Sequence, residues 1–217
     1  MHRRHYHDPS DAGRVLAAAL AGYRGRPGLV VVGLARGGVP VAAEVAEALG
    51  APLDLAVVRK LGVPGHEELA MGAISADHTV VDEALMRSQG VSAAALDEVI
   101  ERERRELARR SALYRGGRPA TDLTGRTVIL VDDGLATGAT MQVAVRDARS
   151  AGAAAVIVAV PTAPRRAARE FASLVDDFVC PYTPEPFRAV GMSYGRFGQV
   201  DDDELLAALR RNDATGP

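Results

Sequence analysis

Apolar residues along this chain fall into two rhythms. Short, mostly apolar runs, several rich in β-branched residues, occupy positions 29–34, 53–58, 128–131, 154–160 and 177–180, with Asp54 and Asp177 the charged exceptions. Runs of this length and composition read as strands covered on both faces, the pattern of a parallel sheet. Between them the period lengthens to that of a helix, at Val15, Leu16, Ala19 and Leu20, then at 41–49, at 141–150 and at 164–174. The longest helical stretch is 92–115, with Ser92 as its cap, an apolar stripe of Leu96, Val99, Ile100, Leu107 and Leu113, and Gly116 at its exit. Strand and helix alternate, which predicts an α/β fold: a parallel sheet flanked by helices and joined by right-handed crossovers. No repeat or linker divides the 217 residues, so positions 1–217 are expected to form one domain.

Several stretches carry their own expectations. Asp8-Pro9-Ser10-Asp11 reads as a helix entry capped by Ser10 or Asp11. His2, His5 and His7 before it have no zinc-ligand spacing, and the segment reads as a polar leader along the surface. Positions 61–69 are rich in turn formers and read as mobile, whereas 70–75 are apolar again and 79–81 form a short strand. Glu101, Arg102, Glu103, Arg104, Arg105 and Glu106 mix signs and read as a solvated, salt-bridged face; the glutamates cancel the field that nucleic acid would need from Arg104, Arg105, Arg109 and Arg110. Positions 201–204 open a last helix over 205–210, where Asp202 or Asp203 reads as cap and dipole chemistry.

Composition narrows the class. Apolar residues make up 47% and charged residues 25%, as in soluble globular domains, and the net charge of −2 favours neither nucleic acid nor anionic membrane. A single cysteine, Cys180, excludes an internal disulfide and suits a reducing compartment. With no run near the ~20 apolar residues of a membrane span, and no signal-peptide core at the start, a cytoplasmic location is expected.

Chemistry concentrates at 128–140. Two carboxylates, Asp132 and Asp133, sit at the C-terminal end of a buried strand, the rim where open α/β sheets bind ligands. Ala136-Thr137-Gly138-Ala139-Thr140 then offers successive backbone N–H groups and two hydroxyls at a helix start, which suits a phosphate monoester. The acids would repel phosphate, so they make sense as acceptors for sugar hydroxyls or as support for a cationic transition state, the plain alternative being strand-end caps. The loop lacks the Gly-Lys-Ser/Thr ending of a Walker loop, and its acids precede its glycines, unlike a dinucleotide fingerprint. On the same rim, Arg36-Gly37-Gly38 turns from the first strand into a helix, as an anion site or a purely structural turn. Arg59 and Lys60 end the second strand, as polyphosphate ligands or a solvated strand end. Arg115 and Arg118 surround Gly116-Gly117, from where they could reach an anion across the cleft.

Strand, acid pair and Thr/Gly loop together closely resemble the signature of the type I phosphoribosyltransferases, which carry a Rossmann-like parallel sheet flanked by helices. The resemblance implies a transferase of nucleotide metabolism with a helical insertion (about 76–122) and a small C-terminal hood (about 181–217). It implies that Asp132 and Asp133 address the ribose hydroxyls of phosphoribosyl pyrophosphate (PRPP) and that Ala136 to Thr140 wrap its 5-phosphate. Ala35-Arg36-Gly37-Gly38 matches the pyrophosphate loop, where a strained peptide bond is common. Arg59 and Lys60 match the cationic strand end, and the stretch from Leu61 falls where the family has its site-closing loop. The segment Phe187 to Tyr194 is similar to the hood of the 6-oxopurine enzymes, which makes Phe187 and Val190 the candidate acceptor contacts. From Arg36 to Val200, nearly the whole chain resembles bacterial phosphoribosyltransferases of unassigned substrate.

The resemblance further implies Mg²⁺ bridging pyrophosphate and ribose with no direct protein ligand, a small-molecule acceptor, and room for a homodimer. One departure matters: Ala136 stands where the 6-oxopurine enzymes have an acid acting as base toward the purine, and Met192-Ser193-Tyr194 lacks their second-magnesium acid. The acceptor therefore stays open. His66 or Glu67 is a candidate acid/base. The rival class is a PRPP-binding regulator that kept the site and lost the chemistry.

Overall fold

The computed structural model describes residues 5–215. Its elements begin with α1 (Pro9–Ala19), β1 (Leu29–Ala35), α2 (Gly38–Leu49) and β2 (Leu53–Val57). There follow β3 (Arg59–Val63), β4 (His66–Ile74), β5 (Thr79–Val81), α3 (Glu83–Ser88) and α4 (Ala93–Arg115). The chain then continues through β6 (Thr127–Val131), α5 (Ala139–Ser150), β7 (Ala155–Ala159), α6 (Ala167–Phe171), β8 (Asp177–Val179) and α7 (Asp202–Thr215).

The main sheet has the order β2-β1-β6-β7-β8 and all of its pairings are parallel. Both faces are covered, which is why its central strands read as near-continuous apolar runs. Val30, Val32, Val128, Leu130, Val156 and Val158 pack toward α5 and α6. Leu29, Val31, Ile129, Val131 and Ile157 pack toward α1 and α2. Each such side chain contributes about 1.5–3 kcal/mol on burial. Leu29 pairs with Thr127 and Gly33 with Val131, so β1 and β6 start level, β1 runs two residues further to Ala35, and the loops that follow them share one rim.

Between β2 and β6 the chain leaves this sheet for a second one, β3-β4-β5, followed by α3 and α4. This excursion starts at β3, earlier than position 76. Positions 61–69, expected as a mobile loop, belong to the two arms of an antiparallel hairpin. Leu61 and Val63 pack with Met71, Ile74 and Val99 of α4 into a separate small core. The glycines that suggested a loop include a contact residue: a Cβ at Gly62 would lie 2.6 Å from the Glu67 carbonyl. Ser75 Oγ donates to Asp147 Oδ1 at 2.8 Å and His78 Nδ1 lies 2.7 Å from the same oxygen, tying the β4–β5 turn to α5.

Ser92 caps α4 by accepting from the Ala95 N–H, and Gly116 ends it in the left-handed region, as the sequence predicts. The entry to α1 differs. Its cap is Asp8, whose side chain accepts from the Asp11 N–H at 2.9 Å, because Pro9 occupies the first helical position, where a missing N–H costs nothing. His2 of the leader lies outside the described residues. Tyr6 is not a surface residue: it is buried against Tyr194, and its hydroxyl donates to the Pro161 carbonyl at 2.7 Å. Asp202 does not cap α7 either, since Asp201 accepts the Glu204 N–H. No helix among the described residues is long and apolar enough to cross a membrane.

Asp54 fastens the excursion to β2. One carboxylate oxygen accepts from the Leu55 N–H at 2.7 Å and from Arg115 at 3.1 Å, and the other accepts from the Thr121 N–H at 2.7 Å. Arg115 also donates to the Leu55 carbonyl, so it serves this joint and not an anion across the cleft. Asp54→Ala leaves two backbone donors and Arg115 Nη1 unmatched and is expected to cost about 3 kcal/mol in urea unfolding.

Candidate functional site

The C-terminal ends of β1 and β6 form the floor of a cleft of about 810 Å³, walled on one side by β3 and α4. Asp132 and Asp133 follow directly on β6 and line that floor. Gly37 and Gly38 start α2 beside them. A Cβ at Gly38 would lie 2.6 Å from the Val131 carbonyl and 2.8 Å from Asp132 Cα, and one at Gly37 would collide with the Asp133 carboxylate. Neither glycine has a positive φ. The pair is needed so that the start of α2 can press against the acid pair, its positive dipole end toward the carboxylates. The Ala35–Arg36 peptide before them is cis.

The acid pair is short of compensating charge. Asp132 Oδ1 accepts the Asp133 N–H at 2.9 Å. Even so, burial first and the Asp133 charge second push the Asp132 carboxyl well above the usual range. Burial likewise raises Asp133, to about 6, against the opposing charge of Lys60. The Tyr194 hydroxyl donates to the Asp133 backbone carbonyl at 2.5 Å and so fixes the loop from the C-terminal segment.

Beyond the acids, Ala136, Thr137, Gly138 and Thr140 line the cleft, while Ala139 packs partly into the core. Gly138, at φ +77°, stands immediately before the twelve-residue α5. The first turn of that helix leaves N–H groups without an intrahelical acceptor, the donor set that a phosphate requires.

Cations face the cleft from the other side. Arg36, Arg59 and Lys60 all line it. Arg36 lies 3.5 Å from Asp202, which also accepts the Tyr114 hydroxyl at 2.7 Å. That hydrogen bond, followed by the Arg36 charge, holds the Asp202 carboxyl below its ordinary range. Arg59 donates to Glu103 through Nη2 at 2.7 Å and Nε at 2.9 Å. Lys60 has no hydrogen-bond or ion-pair partner among the described residues.

Sequence reasoning missed the α4 wall. Glu103 was expected on a solvated face and is 7% exposed; Arg102 and Arg110 line the cleft beside it. The signal was present in the spacing: Val99, Glu103, Leu107, Arg110 and Tyr114 follow steps of four, four, three and four and so share one helix face. A mixed-charge block conceals such a face because its composition is that of a solvated helix.

At the far end, Val190 lines the cleft but Phe187 does not. Its place is taken by Phe197, which is 43% exposed and stacked on Tyr194 at 4.8 Å. The 3-10 turn Val190–Ser193 reverses the chain, and Gly191 admits the Phe197 ring where a Cβ would lie 2.9 Å away. Glu67 lines the cleft and His66 does not; nor do Arg115 and Arg118. Among the described residues no group of three or more His, Cys, Asp or Glu side chains is placed to hold a metal ion.

The acid pair, the start of α5 and the opposed cations thus share one rim of the parallel sheet. The comparisons specify the family. The family described as "Phosphoribosyl transferase domain" matches residues 9–184, and the chain belongs to it. Two Mycobacterium tuberculosis proteins, from strains H37Rv and CDC 1551, each named "Putative phosphoribosyl transferase", are 49% identical over 207 residues. The match covers 95% of this chain and 46% of theirs, so the chain spans about half the length of these curated relatives. The crystal structure of TT1426 from Thermus thermophilus is 40% identical, with a TM-score of 0.77 over 95% of this chain and 98% of that one. The type I phosphoribosyltransferase fold read from the sequence is thereby shown.

The acid pair makes stability depend on pH. With the Asp133 carboxyl raised to about 6, the folded chain retains protons that an unfolded Asp releases near ~3.9. This contribution is full below about pH 4 and is lost as pH rises through 6. Asp133→Asn removes the penalty: urea unfolding is expected to show it more stable than the parent by about 3 kcal/mol at pH 7.5 and nearly equal to it near pH 4.

Proposed function

We propose that this domain transfers 5-phosphoribose from PRPP to a small acceptor, a nitrogen nucleophile, with release of pyrophosphate. One observation carries the reading: an undercompensated acid pair lies between a helix N-terminus on one side and three cations on the other, in one cleft. A ribose flanked by phosphates at both ends matches that order of charges.

In this reading the first turn of α5, with Thr137 and Thr140, holds the 5-phosphate, and Asp132 and Asp133 accept from the ribose hydroxyls. The bond between the anomeric carbon and the pyrophosphate oxygen breaks with its electron pair leaving on pyrophosphate. The acceptor nitrogen then bonds to that carbon and gives up its proton. Arg36, Arg59, Lys60 and the Gly37–Gly38 turn stabilise the departing charge, and each preorganised donor is worth about 3 kcal/mol at the transition state. The carboxylates oppose the positive charge that grows on the ribose. Asp132 and Asp133, oxygen donors on the cleft floor, fit a hard cation that would be carried in by the ligand and reached through the ribose hydroxyls. Bound with the ligand, Mg²⁺ would supply a template and Lewis acid for the pyrophosphate.

The acceptor meets Leu135, Ala136, Val190 and Phe197, with no acidic side chain at position 136. That composition weighs against an acceptor recognised as the 6-oxopurines are, and Phe197 replaces Phe187 as the stacking candidate. Glu67, as the cleft-lining member of its pair, replaces His66 as the candidate proton carrier.

Two measurements test the proposal. PRPP with Mg²⁺ at about a hundred times its dissociation constant is expected to add ~2.7 kcal/mol of stability, and Asp132→Asn/Asp133→Asn is expected to abolish that gain. An equal gain in the double variant would reject the site. Pyrophosphate release across a panel of bases and amines is expected for at least one acceptor; binding with no release across the panel would favour the regulatory reading.

A further inference from the structure

Arg36 and Arg59, the two arginines that follow or open strands at the cleft, are each held by a carboxylate from outside the main sheet. Both arrangements lead to α4. Glu103 receives two hydrogen bonds from Arg59, and its other oxygen accepts from Arg102 Nε at 3.1 Å. Eleven residues on, Tyr114 is 1% exposed and has its hydroxyl on Asp202, which faces Arg36. Eleven residues are three helical turns to within about 20°, so Glu103 and Tyr114 lie on one face, about 16 Å apart along the axis. The intervening Leu107 is buried on that face, which seats the helix firmly.

We propose that α4 is a positioning strut for the pyrophosphate end of the site. Glu103 aims Arg59 directly, and Tyr114 aims Arg36 through Asp202. This rests on the PRPP reading and goes beyond it by naming residues that act through the two arginines. Arg59 and Arg36 are long side chains with many rotamers, and an arginine that must be immobilised on binding loses affinity to that ordering. A guanidinium already clamped by a carboxylate has been ordered during folding. The clamp runs against simple electrostatics, because a carboxylate beside the leaving group repels it.

That opposition gives the test its sign. Binding of inorganic pyrophosphate with Mg²⁺, and separately of ribose 5-phosphate, is measured by calorimetry for the unmodified chain, Glu103→Gln and Tyr114→Phe. The strut predicts that pyrophosphate affinity falls roughly threefold to tenfold in both variants, the size of one lost hydrogen bond, while ribose 5-phosphate affinity is unchanged. If Glu103 acts only through its charge, Glu103→Gln tightens pyrophosphate, and the proposal is overturned. It is also overturned if either variant leaves pyrophosphate binding unaltered, or if both ligands weaken together, as in general loss of structure. Failure of the unmodified chain to bind either ligand overturns the PRPP reading itself, and is distinguished by needing no variant.

Discussion

The contact on which the site depends is the one between the Asp132–Asp133 backbone and the Gly37–Gly38 start of α2. Two adjacent carboxylates in a partly dry floor repel each other and lose hydration, at a cost of several kcal/mol in such surroundings. A helix N-terminus pressed against them offsets part of this, and only glycines allow that approach, since a Cβ at either position would overlap the acids. The register of β1 and β6, whose last pair is Gly33 with Val131, sets the Asp132–Asp133 turn beside the end of β1 and the start of α2. The fully buried strands beneath make that register costly to change, because a one-residue slip would exchange the faces of every core side chain.

Around that contact the charges alternate. Lys60 faces the acid pair with no other partner among the described residues, while Arg36 and Arg59 arrive already paired with Asp202 and Glu103. The result is a cleft lined by many ionic groups on a chain whose formal net charge is only −2. Local arrangement decides what such a cleft binds, and overall charge does not. The paired arginines trade some attraction for a fixed geometry, a reasonable exchange where the departing charge must be met without reorganisation.

Two segments remote in sequence complete the site. The excursion between β2 and β6 supplies the α4 wall, held to the main sheet through Asp54, Arg115 and Thr121 and through the Asp147 contacts of the β4–β5 turn. The C-terminal segment supplies Val190, Phe197 and Asp202, and is itself secured by Tyr6 and Tyr194. Neither belongs to the parallel sheet. Both determine what can sit opposite the ribose-type floor.

Local sequence sufficed wherever the cause was local. The five parallel strands, the Ser92 and Gly116 limits of α4, and the acid pair with its Thr/Gly loop were legible because strand burial, helix capping and loop chemistry act within a few residues. Tertiary structure decided the rest. Glu103 looks like any glutamate of a mixed-charge helix until Arg59 of β3 packs against it. Asp202 looks like a helix cap until Arg36 and Tyr114 reach it from far earlier in the chain. Phe197 rather than Phe187 enters the cleft because of a reversal at Val190–Ser193, and 61–69 form a hairpin because Met71, Ile74 and Val99 cover them. In each case the deciding energy comes from a partner far along the chain; helical spacing puts Glu103 on the buried face of α4, but nothing in that window names Arg59 as its partner.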